Sequence, residues 1–152
     1  MSQAAAALFT VAVFKDVEWA RRGVQALTDA GFAPDTLTLL ARESEAAAAL
    51  MGSLPGPGPE SLDVAALGPM AAKGPLLGVL QGADRGLSRL GLGAVIGRAG
   101  FLQHDGYIFE ALVARGGCLV AILSEPRAAD ALAKLHAYGG GNAAIGAWTG
   151  RV

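Results

Sequence analysis

Cysteine is almost absent from this chain: Cys118 stands alone. A single thiol excludes an internal disulfide framework and any site built from several cysteines, and it suits a reducing, cytoplasmic setting. Histidine is nearly as scarce, with only His104 and His136, and no HxxxH, ExxH or carboxylate cluster offers metal-ligand spacing. Charge is thin and balanced. Twelve basic groups face 13 acidic ones, a net charge of −1. There is thus no basic surplus to neutralise a phosphate backbone, and nucleic acid is not an expected partner. Long apolar runs are missing too. The opening AAAALFTVAVF is too short to span a bilayer and has no basic stretch ahead of it, so it reads as a leading strand rather than a signal segment. The apolar middle is interrupted by Lys73, Arg85, Arg89 and Arg98, which argues against a span and leaves attachment to a membrane surface as a minor candidate.

What the chain does have is small apolar residues. Hydrophobic side chains make up 53% of its 152 residues and 22 are glycine, enough for one domain with a single substantial core. The glycines are not scattered. Gly74, Gly78, Gly82 and Gly86 fall every fourth residue, and Gly93 and Gly97 repeat the spacing. The periodicity predicts one helix over 75–90, with Leu76, Leu80, Ala83, Leu87 and Leu90 on one face and the three inner glycines in a row on another. Each inner glycine costs such a helix about 1 kcal/mol relative to alanine. A bare stripe of that cost implies a close neighbour, within the chain or from a second copy.

The flanks are more regular. An apolar strand over 8–14 leads to a helix capped by Asp16, lined by Val17, Ala20, Val24 and Leu27, and ended at a left-handed Gly31. Residues 36–40 alternate as a half-exposed strand should. A short helix over 43–51 and a loop through Pro55 and Pro59 follow, then a hairpin over 62–73 around Gly68-Pro69. Gly91 and Gly93 are expected to bend the central helix toward a second piece reaching Phe101. Asp105 should cap a helix to Arg115, with Ile108 and Leu112 inward and Gly116 and Gly117 as its stop. A second apolar strand covers 118–123, a helix starts near Pro126 with Leu132 and Leu135 on one face, and the last strand covers 142–149.

With the middle set aside, the order is β–α–β then β–α–β, a ferredoxin-like α+β arrangement in one domain: a first half over 8–42, a glycine-rich insertion over about 52–103, and a second half over 104–150. The strands 8–14 and 118–123 should be central and 36–40 and 142–149 should be edges, with both crossover helices on one face. The other face needs a cover, from the glycine-rich segment or a second subunit.

In these features the chain resembles the general stress (heat-induced stress) proteins, a group of small bacterial proteins. The likeness is carried by Val11 to Phe14, by the Asp16 helix ending at Asp29 to Phe32, by Thr38 to Arg42, by the glycine-rich middle and by Arg115 to Ala121. It implies ferredoxin-like halves around a glycine-rich centre and no established catalytic residues. The charged Asp84, Arg85, Arg89 and Arg98 depart from a purely Gly/Ala middle.

Chemistry-bearing candidates are few, and each has a plain structural reading. Gly91-Leu-Gly93-Ala-Val-Ile-Gly97 imitates a dinucleotide fingerprint but follows a helical, charged stretch instead of a strand, so no cofactor is expected. The prolines at 55, 57 and 59 remove amides that a phosphate cradle needs. His104 and Asp105 are neighbours on a helix and do not point together. His136 suits a helix C-terminus, and Cys118 suits a buried strand. Trp19, Tyr107, Phe109, Tyr138 and Trp148 are spread out, as core-edge or contact aromatics. The expectation is therefore a non-enzymatic cytoplasmic protein without metal or cofactor. It would form a homo-oligomer or bind a protein partner through a sheet face and through Gly78, Gly82, Gly86, Arg85 and Arg89. The alternative is a small-ligand regulatory module with its site between subunits.

Overall fold

The structure, a computed structural model, describes residues 9–123 apart from Pro57 and Gly100. The strands are β1 (Phe9–Phe14), β2 (Leu37–Arg42), β3 (Glu60–Val64), β4 (Gly68–Lys73) and β5 (Cys118–Leu123). The helices are α1 (Val17–Asp29), α2 (Glu45–Gly52), α3 (Leu76–Gln81), α4 (Gly86–Leu90), α5 (Leu92–Val95) and α6 (Gln103–Ala114), with 3-10 turns at Pro34–Thr36 and Ile96–Ala99. The fold is α+β. All five strands join one antiparallel sheet in the order β1–β5–β2–β4–β3.

The local signals at the start of the chain act as expected. The Asp16 carboxylate accepts the Trp19 amide at 2.9 Å, capping α1, and Gly31 closes the helix at φ +95°. Gly23 on the buried side of α1 lets the Phe14 ring sit against the helix backbone. Ser44 caps α2 through the Ala47 amide at 3.0 Å. Helix α1 carries the chain from β1 across to β2, and β5 later pairs between them.

Strand β2 departs from its expected edge position. It bonds to β5 on one side and β4 on the other, and Leu37 to Ala41 are all buried. The alternation of Thr36 to Leu40 misleads because Thr38 is a buried polar residue with a partner: its Oγ1 accepts the Leu76 amide at 2.9 Å and so starts α3. The 62–73 hairpin forms, but its turn is Ala65 to Leu67, with Ala66 at φ +72°, while Gly68 at φ +84° already belongs to β4. Beyond Leu123, the predicted helix near Pro126, the strand over 142–149, His136, Tyr138 and Trp148 lie outside the described residues.

The sheet has a core on each face. One contains Phe14, Leu27, Leu39, Met51, Val120 and Ile122 under α1 and α2. The other contains Val11, Val13, Leu40, Met70 and Leu119 under Leu76, Leu80, Leu87, Leu92, Ile96, Phe109 and Val113. The glycine-rich segment and α6 are therefore the cover of the second face, supplied from within the chain.

Candidate interaction surface

The cover is where the sequence placed its site residues, and its first surprise is a break. The single helix expected over 75–90 is two: α3 ends at Gly82 (φ +60°, ψ −173°), and Arg85 precedes α4 in the left-handed region (φ 57°, ψ 41°). No glycine stripe exists on a continuous helix. Gly78 is exposed, with open space where a side chain would be. Gly82 and Gly86 instead make room for Arg98: a Cβ on them would lie 2.8 Å and 2.5 Å from its Nη1.

Arg98 closes the break. Its Nη1 donates to the carbonyl oxygens of Leu80 (3.1 Å) and Gln81 (3.0 Å) and to Asp84 Oδ1 (2.8 Å), and its Nη2 donates to Asp84 Oδ2 (2.8 Å). This is a two-point pairing of guanidinium and carboxylate, the geometry in which arginine binds most specifically. Arg89 adds a bond from Nε to the Asp84 carbonyl oxygen at 2.9 Å. The Arg98 hydrogen bonds, more than its charge or the amides of Asp84 and Gly86, hold the Asp84 carboxyl down at about 2. Of the arginines in this segment, Arg98 and Arg89 are thus engaged with Asp84, and Arg85 is an exposed turn residue.

Further on, α5 packs on α6. Gly91 bends the chain at φ +93°, and a Cβ on Gly93 would fall inside the Tyr107 ring, so that ring lies on bare backbone. The Gly93 amide donates to Glu110 Oε1 at 2.9 Å. Helix α6 starts at Gln103, not at Asp105, which occupies its first turn; the buried positions are Gly106, Phe109 and Val113, and Ile108 and Leu112 are only half-buried. The inward face is shifted by one residue because Gly106 must meet Ile96 without a side chain between them.

This packing leaves three large apolar side chains exposed among the described residues, all on the cover: Leu90 at 50%, Leu102 at 71% and Tyr107 at 51%. Phe101 turns inward onto Phe109 in an edge-to-face contact at 6.1 Å, which puts its neighbour Leu102 outside. None of the three was singled out by helical periodicity as outward. The available signal was the pairing of small residues at 93 and 106 with large ones beside them.

The candidate chemistry is dispersed. Cys118 is fully buried in β5, and burial pushes its thiol up to about 12, far from the thiolate range. His104 is exposed on α6. Among the described residues no group of three His, Cys, Asp or Glu is placed to hold a metal. No helix among them is long and apolar enough to cross a membrane. A depression of about 240 Å³ lies between Pro34, Leu37, Pro55 and Lys73, on the far side of the sheet order from β1. No family model, curated protein or solved structure matches the chain.

Proposed function

We propose that this chain is a non-enzymatic interaction protein that associates with a second copy of itself through the outer surface of the 86–107 cover. The observation that carries the reading is that Leu90, Leu102 and Tyr107, the large apolar side chains exposed among the described residues, all belong to the covering layer. Aromatic side chains such as Tyr107 are enriched at protein contacts, and exposed leucines beside one add apolar area. A net charge of −1 offers little repulsion between copies. The sheet faces, expected to share in this role, are filled by the chain's own helices, and the glycines serve Arg98 and Tyr107 instead of a facing helix. The association is therefore assigned to side chains and no longer to bare backbone.

The same reading keeps the ferredoxin-like class and the likeness to general stress proteins. The order β1–β5–β2 with α1 bridging β1 and β2 supports them, with the β3–β4 hairpin added beside β2 and the glycine-rich cover laid over the sheet. A cytoplasmic location belongs with this proposal.

Light scattering after size exclusion, over a hundredfold range of concentration, tests the association. The wild-type chain should grow in mass with concentration. A Leu102→Asp variant should stay monomeric with a melting temperature close to that of the wild type, because that side chain is 71% exposed. Equal mass curves for the two proteins would remove the reading.

A further inference from the structure

The segment 76–90 contains two conflicting instructions. Its apolar spacing is that of one helix, and the break strands part of that face: Ala83 is exposed and Leu90 half exposed, while Leu76, Leu80 and Leu87 are buried. The hydrogen bonds conflict in the same place. Gly82 still donates to Gly78 and Arg89 to Arg85, as in a helix, at 3.0 Å each. An uninterrupted helix would next give the Leu80 and Gln81 carbonyl oxygens to the amides of Asp84 and Arg85, four residues on. Those two oxygens are the ones that Arg98 Nη1 occupies.

We propose that Arg98 is a latch on a two-state segment. While it is clasped to Asp84 and to the two carbonyls, residues 76–90 are held as two short helices. When it is withdrawn, the amides of Asp84 and Arg85 take its place and the helix runs through. The carbonyl oxygens keep a donor in both forms, trading a guanidinium N–H for backbone N–H groups. The guanidinium and the Asp84 carboxylate, both partly open to solvent, pass to water, as does the Gln81 side chain that bridges the break to the Ser88 hydroxyl and amide in the clasped form. Arg85 also leaves its left-handed conformation, a relief for a residue with a Cβ. Of the three glycines at 78, 82 and 86, only Gly82 lies outside a helix in the clasped form; it works against the run-through form and so favours the clasped one. Running through re-aims α4 and draws Leu90 toward the buried face, so the latch governs how the outer cover is presented. The mechanism does not depend on whether copies associate.

Hydrogen exchange on the full-length chain tests this, with two variants that reach the same state differently. Arg98→Gln removes the clasp. Gly82→Ala leaves the arginine in place but crowds Nη1, is strained at φ +60° and favours helix. Amides 83–86 should exchange about tenfold more slowly than in the wild type in at least one variant, with deeper ellipticity at 222 nm. A merely structural clasp would do the reverse. Unchanged or faster exchange of those amides in both variants, or loss of the whole fold in both, overturns the proposal.

Discussion

Glycine does three different jobs in this chain, and a substitution tells them apart. At Gly74 the backbone is at φ +124°, and a Cβ would overlap the Leu37 carbonyl oxygen and the Thr38 backbone where β4 leaves the sheet for α3. Gly74→Ala should lower stability by about 2 kcal/mol or more, from strain and overlap together. Gly78 lies within α3 with nothing within 4 Å of the position a Cβ would take. Gly78→Ala should therefore raise stability by about 0.5–1 kcal/mol, since alanine loses less entropy in a helix. Denaturant melts of both variants check these opposite signs. Gly93 is the third kind, a seat for the Tyr107 ring. Equal spacing in the sequence conceals this difference, because periodicity records where glycines are and not what approaches them. The rule that identified Gly31 as a helix stop applies equally to Gly82, the residue that ends α3. The leucine pattern running past it outweighed that signal.

Among the elements, those fixed by neighbours in sequence were legible and those fixed by distant partners were not. The Asp16 cap, α1, its Gly31 stop and the apolar strands β1 and β5 each carry their signal within a few residues. The start of α3 depends on Thr38, and the end of α3 on Arg98. No spacing rule links such pairs. The inward face of α6 likewise depends on a partner outside the helix, Ile96 against Gly106. The α3–α4 break should show its electrostatics in acid. The Asp84 carboxyl is held from its ordinary 3.8 down to about 2, chiefly by the Arg98 hydrogen bonds. A depressed carboxyl supports the fold in its ionised form. Its contribution is complete above about pH 4 and is lost as the pH falls through about 2. Amide exchange and the Arg98 side-chain NMR signals should therefore change around residues 80–86 in that window, before wider unfolding. An Asp84→Asn variant should show no such step.

At the scale of the molecule, the sheet order sets the order of stability. β2 and β5 are bonded on both sides and buried on both faces, whereas β3 carries exposed Glu60, Ser61 and Asp63. Their amides should be the slowest to exchange and those of β3 among the fastest of the sheet, which residue-resolved exchange in native conditions would reveal. The two-core layout also explains how much of the whole could be read beforehand. Continuous apolar strands announced a sheet covered on both faces, and the cover came from the middle of the same chain. In β2 the trace of the hairpin beside it is the unbroken apolar run Leu39 to Ala41, which pairs with β4 and is buried throughout. The order β1–β5–β2 has one further consequence. The strand that joins the two halves of the sheet is made late: Phe9 pairs with Leu123, and Leu37 with Ile122. A nascent chain leaving the ribosome would hold β1 apart from the β2–β4–β3 part of the sheet, with the edges that face β5 unpaired, until translation had passed residue 123. Pairing over such a sequence distance is slow. The two parts of the sheet should therefore join only in a late step, once β5 is available to pair with both.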